Sequence, residues 1–168
     1  MAESKSSDAI ALLKDDHRKV EKLFKDFEGA KGDGRKERLA RQICMELVIH
    51  TKIEEEIFYP ALEGKLEEDM LSEAKVEHDS AKLLIAEIEA GNGESDEYFD
   101  AKVTVLQEQV EHHVEEEEKE MFPEVRKADL DLDALGEQIA ARKKELMAEY
   151  KLSGTPTPEL TTMDEVQI

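Results

Sequence analysis

The sequence predicts an all-α protein: an up-and-down four-helix bundle with an additional C-terminal helix and a flexible tail. Three observations carry that expectation. The composition is helix-like, with 39 % charged residues, only 5 % aromatic, no Trp and four Pro among 168 residues. Apolar side chains recur at alternating spacings of three and four, the seam of a bundle helix. The order of elements also repeats. A helix with a seam histidine is followed by a helix carrying His-xxx-Glu and then Pro, at 17/50/54/60 and again at 78/113/117/123.

Each element has its own warrant. Residues 8–28 place Ile10, Leu13, His17, Val20, Phe24 and Phe27 on one face, and Gly29 with Lys31-Gly32-Asp33-Gly34 ends the run. A second helix over about 35–63 reads Leu39, Ile43, Leu47, His50, Glu54, Ile57 and Ala61. A third, about 68–90, reads Leu71, Ala74, His78, Ala81, Ile85 and Ile88, stopped by Gly91-Asn92-Gly93. The fourth, about 95–127, reads Val103, Leu106, Val110, His113, Glu117 and Met121, with Ser95 as its candidate N-cap. Pro60 and Pro123 fall late in the second and fourth patterns, where proline removes a backbone bond and predicts a kinked last turn or an early end. Leu135, Ile139, Leu146 and Tyr150 predict a fifth helix from Asp133 to Tyr150. The expected organisation is a disordered N-terminus (1–7), a bundle of two helix pairs (8–127, split 8–63 and 68–127), an accessory helix (128–151) and a disordered tail (152–168).

Composition bounds the function. A formal net charge of −20 opposes nucleic acid and anionic membranes, because the dominant field repels phosphate. No apolar run is long enough to span a bilayer, and the first eight residues lack an apolar signal core. The single cysteine, Cys44 between Ile43 and Met45, reads as a buried inert thiol and fits a reducing, cytoplasmic setting.

Six polar residues stand in seams that are otherwise apolar: His17, His50, Glu54, His78, His113 and Glu117. One seam histidine is more often a hydrogen-bonded core residue than a ligand, and one seam glutamate can simply pair with it. Six together are different. Two carboxylates in a dry core cost several kcal/mol each unless compensated. Neutral imidazoles bring no charge, and four imidazolium groups facing one another repel. Divalent cations take both ligand types and supply the charge. With no thiolate in the set, a structural cysteine–zinc site is not expected. Four imidazoles and two carboxylates suit two ions with each Glu bridging, and nitrogen–oxygen sites of this kind fit Fe, Mn, Zn or Cu. His112 competes locally, since Glu116 lies four residues on. The apolar register and the ten-residue spacing to Pro123, matching that of His50 to Pro60, choose His113.

Asp16-His17, His50-xxx-Glu54 before Pro60, Glu77-His78, and His112-His113-xxx-Glu117 before Phe122-Pro123 together resemble a hemerythrin-like (HHE cation-binding) domain over about residues 9–127. The resemblance implies a non-haem di-iron centre, two iron ions with oxo or hydroxo and Glu bridges, with manganese or zinc as alternatives. It carries metal-ligand roles to the same six residues, and O₂ or another small diatomic or peroxide as the partner. Two departures from oxygen-carrying hemerythrins stand out. The third helix has no second histidine four residues from His78, where Lys82 and Ala74 stand, and His113-xxx-Glu117 replaces His-xxxx-Asp. A reversible O₂ carrier is therefore not expected. Binding or sensing of O₂, redox state or iron leads. An enzyme acting on peroxide, another small oxidant or nitric oxide is the alternative, and a metal-free acidic bundle or chaperone-like binder is the bland third reading.

Overall fold

The computed structural model describes residues 8–93 and 95–163; the expectations for residues 1–7 and for the last five residues lie outside them. Among the described residues every regular element is helical. α1 (Ala9–Gly29) starts at Asp8, whose side chain accepts from the Ala11 N–H at 2.9 Å. α2 (Asp33–Ile53) begins after Gly32, whose φ of 90° belongs to glycine. A π-helical turn, Glu54–Phe58, joins α2 to the short α3 (Tyr59–Leu62). The second pair repeats the plan: α4 (Glu68–Ala90), α5 (Phe99–Glu116), a π-helical turn Glu117–Met121, and α6 (Phe122–Lys127). α7 (Leu132–Ser153), capped by Asp131, packs on α1 and α2 through Leu135, Ile139, Leu146 and Tyr150.

The prolines explain the π turns. Pro60 and Pro123 have no N–H to give and would crowd a straight helix. One extra residue in the preceding turn relieves this, and the N–H of Tyr59 bonds back five residues to Glu54, as that of Phe122 does to Glu117. The insertion corrects the expected seam of the second helix. Beyond Glu54 the core positions are Phe58, Tyr59 and Leu62, all fully buried, whereas Ile57 and Ala61 are only partly buried. The fourth helix also starts later than expected. Ser95 does not cap it; its N–H is taken by Asn92 Oδ1, and α5 begins at Phe99.

The tail differs from the unpacked segment that its Thr-Pro repeats suggest. After Gly154 (φ 83°) the chain runs without regular structure and bends at residues 161–163, where it meets α4. Buried Asp79 explains the contact, because its carboxylate needs donors: it accepts from the N–H groups of Thr161 (2.9 Å), Thr162 (2.6 Å) and Met163 (2.9 Å). Buried Lys82 adds a bond to the Glu159 carbonyl at 2.8 Å.

The shifted register is testable by urea unfolding. Phe58→Ala is expected to cost about 3–5 kcal/mol, and Ile57→Ala less than half of that. Equal losses would show that the helix carries no inserted residue.

Candidate metal centre

All six seam residues meet at one level of the bundle. His17, Glu54, His78 and Glu117 are no more than 3 % exposed, and His50 and His113 no more than 9 %. His17 and His50 lie with ring centroids 5.0 Å apart, and His78 and His113 at 4.9 Å. The carboxylates stand between the two pairs. Glu54 Oε1 is 3.1 Å from both His50 Nε2 and His78 Nε2; Glu117 Oε1 is 3.2 Å from His17 Nε2 and 3.5 Å from His113 Nε2. Two groups that could hold a metal ion result, His17/His50/Glu117 and Glu54/His78/His113, each with its donor atoms within 4.8 Å of one another. His112 stands outside with its side chain 66 % exposed, as the register of α5 requires.

A ring of four further carboxylates surrounds the histidines. His17 Nδ1 lies 2.6 Å from Glu118, His50 Nδ1 3.1 Å from Asp16, His78 Nδ1 2.7 Å from Glu55 and His113 Nδ1 2.9 Å from Glu77. Each therefore fixes its imidazole with Nδ1–H outward and Nε2 inward, the arrangement that carboxylates impose on metal-bound histidines. Sequence reasoning missed these roles; the one trace of them is weak, that each outer acid is the immediate neighbour of a seam residue (16/17, 54/55, 77/78, 117/118). The π turns allow this for Glu55 and Glu118, because the widened turn brings two consecutive side chains to the site.

The inward atoms test whether a cation fits. His17 Nε2, His50 Nε2, Glu54 Oε2 and Glu117 Oε1 are buried and, among the described residues, have no hydrogen-bond partner. Orphaned acceptors of this kind are costly, and all are donor types that bind cations, gathered at the same centre. The donor set fits divalent cations.

The repeat is broken at one place that matters. Tyr59 and Phe122 occupy equivalent positions ahead of the prolines. Phe122 stacks on His17 at 6.0 Å, and Tyr59 stacks on His78 at 5.3 Å. The Tyr59 hydroxyl donates to Glu117 Oε2 at 2.8 Å and lies 3.3 and 3.4 Å from the Nε2 atoms of His78 and His113. Burial, then the charges of Glu117 and Glu54, push the phenol well above its ordinary range and keep the proton on it. On the far side of the histidines lies a cavity of about 40 Å³. Its apolar walls are Val20, Leu47, Ala81, Ile85, Val110 and Val114.

Comparison with known proteins agrees with this geometry. The family model of the hemerythrin HHE cation-binding domain matches residues 8–125. A solved structure of a hemerythrin HHE cation-binding domain-containing protein from Mycobacterium kansasii superposes with a TM-score of 0.74 at 25 % identity, over 88 % of this chain and 94 % of that one. A protein from Nostoc sp. described as a DNA nickase is 29 % identical over 115 residues, 68 % of this chain. The chain spans about a third of that relative's length, 32 %. Among the described residues no helix is long and apolar enough to cross a membrane.

Without a cation, protons take its place in part. Burial alone would lower His50, but the Glu54 charge and the hydrogen bond to Asp16 outweigh it and raise the imidazole to about 10. His113 is likewise raised against its burial by Glu117 and Glu77, and His78 by Glu54 and Glu55. A folded-state pKa above the unfolded value of about 6.5 stabilises the fold fully below that value. The contribution is lost as pH rises through the folded value. The metal-free chain is therefore expected to lose thermal stability from about pH 6.5 upward, towards the value of about 10 held by His50. The cation-loaded chain should lose less, since its imidazoles are already neutral ligands. Metal-free stability that stays level or rises over that window would contradict the assignment.

Proposed function

Because the chain belongs to the hemerythrin HHE cation-binding family, we propose that His17, His50, Glu54, His78, His113 and Glu117 hold two metal ions, with iron as the resident metal and manganese or zinc as substitutes. On this reading the protein binds or senses O₂, redox state or iron. The supporting observation is the convergence of four Nε2 atoms and two carboxylates on one buried centre, with every Nδ1 held from outside by an acid. A non-haem iron pair, when bound, supplies electrons to O₂ or peroxide. The chain's own residues do the rest. Asp16, Glu55, Glu77 and Glu118 set tautomer and orientation. Phe58, Phe122 and the apolar cavity wall exclude bulk water, and a space of about 40 Å³ suits a diatomic molecule or a single water rather than an organic substrate. The nicking named for the Nostoc relative is not carried over, since a net charge of −20 opposes nucleic acid and anionic membranes alike.

Tyr59 favours a second reading, turnover of peroxide or another small oxidant, because its hydroxyl holds a proton at Glu117 Oε2 and beside two ligand imidazoles. Tyr59→Phe removes that proton and keeps the ring. If the centre turns over peroxide, the variant should decompose it about tenfold or more slowly with its metal content unchanged. Equal rates for wild type, variant and free iron at equal concentration would dismiss the enzyme.

Metal analysis after growth with added iron and a chelator wash tests the primary reading. The chain should retain two ions, mostly iron, and His113→Ala should retain at most one at full occupancy. Metal near zero in the wild type would overturn it.

A further inference from the structure

We infer that the outer face of the second helix pair carries a third divalent-cation site, built from Glu77, His112 and Glu116. The four outer carboxylates set the comparison. Three of them hold an imidazole on one side and meet a permanent cation on the other: Asp16 pairs with Lys143, Glu118 with Arg18, and Glu55 with Lys82 at 2.8 Å. Glu77 is the exception. Its Oε1 holds His113 Nδ1 at 2.9 Å, and among the described residues no lysine or arginine pairs with it. His112 Nε2 stands 3.6 Å from Glu77 Oε2 instead, and 3.1 Å from Glu116 Oε1. A neutral imidazole does not compensate two adjoining carboxylates, whereas a divalent cation compensates both and takes all three groups as ligands.

The repeat supplies a second, independent observation. The positions equivalent to His112 and Glu116 in the first half are Ile49 and Ile53, buried to 1 % and 0 % exposure, and α7 covers that helix pair. α7 also delivers Lys143 to Asp16, the equivalent of Glu77. In the second half the same two helix positions are a ligand pair, i and i+4, on the solvent side. The three donor atoms lie within 4.8 Å of one another. A metal about 2.1 Å from each donor needs only small rotations of side chains that are 27–66 % exposed. Imidazole with carboxylates selects iron(II), manganese(II) or zinc(II) over calcium or magnesium, and the open side leaves room for water ligands.

An ion held here is separated from the buried centre by one carboxylate and one imidazole, Glu77 and His113, which suits a station from which the centre is loaded. That loading role rests on the reading of the buried residues as metal ligands; the third site itself does not.

Calorimetric titration of the metal-free full-length chain with zinc(II) alone tests the proposal. The wild type is expected to bind three equivalents, the last the weakest. His112→Ala and Glu116→Gln should each weaken that last equivalent by roughly tenfold or more and leave the others unchanged, with unaltered circular dichroism. Should the buried centre bind nothing, one equivalent lost specifically in His112→Ala would still support the outer site. Identical isotherms for wild type and both variants would overturn it. Iron(II) loading of the buried centre should be several-fold slower in His112→Ala, and equal rates would remove the loading role.

Discussion

Glu54 and Glu117 lie at the centre of an apolar bundle with 0 % and 1 % of their surface exposed, and the surrounding structure answers the charge they put there. An unpaired carboxylate in such a place costs several kcal/mol, enough to remove much of a domain's net stability. Four imidazoles stand next to the two carboxylates, four acids stand behind the imidazoles, and Lys82, Arg18 and Lys143 stand behind three of those acids. Charge therefore alternates outward from the centre. The inner layer lacks hydrogen bonds at four buried imidazole and carboxylate atoms, and it is there that a cation changes the balance most. Protonation of His50, His78 and His113 is the substitute open to the metal-free chain, at the cost of like charges 4.9 Å apart in the His78–His113 pair.

The two halves use the same device with different surroundings, and the differences bear on function. Both π turns start at the inner glutamate, so the residue that faces the centre and the residue that supports a histidine are consecutive. One half ends its turn with Tyr59 and the other with Phe122, which gives the site one phenol rather than two. α7 closes the first half. The second half is left open at Glu77, while its neighbour Asp79 and Lys82 anchor the tail. Lys82 bonds both the Glu159 carbonyl and Glu55, so the tail stands two side chains from His78.

Much of this was legible before any coordinates. The four-helix plan followed from the spacing of Leu, Ile, Val and Phe, and the choice of His113 over His112 followed from Val110 and from the distance to Pro123. Both agree with the burial of the two histidines. The register beyond Glu54 was not legible, because a π turn adds a residue without changing the local apolar pattern, and Ile57 reads as well as Phe58 until Pro60 is given its steric consequence. The outer carboxylates were hidden for another reason. In a chain with 43 acidic residues an acid beside a seam residue carries little information, and only the geometry separates Glu77 and Glu118 from the solvated majority. The tail contact rests on the backbone N–H groups of residues 161–163 and on the hydroxyls of Thr161 and Thr162, and two threonines in a tail that already holds others do not single out Asp79 as their acceptor.

The outer acids hold four imidazoles with Nδ1 protonated and Nε2 turned inward, where a cation would meet it. Long-range ¹H–¹⁵N correlation spectra of the zinc-loaded, ¹⁵N-labelled chain read this directly. His17, His50, His78 and His113 are all expected to appear as Nδ1–H tautomers with metal-shifted Nε2 resonances. Nε2–H tautomers at these four positions, or four imidazoles indifferent to zinc, would contradict it.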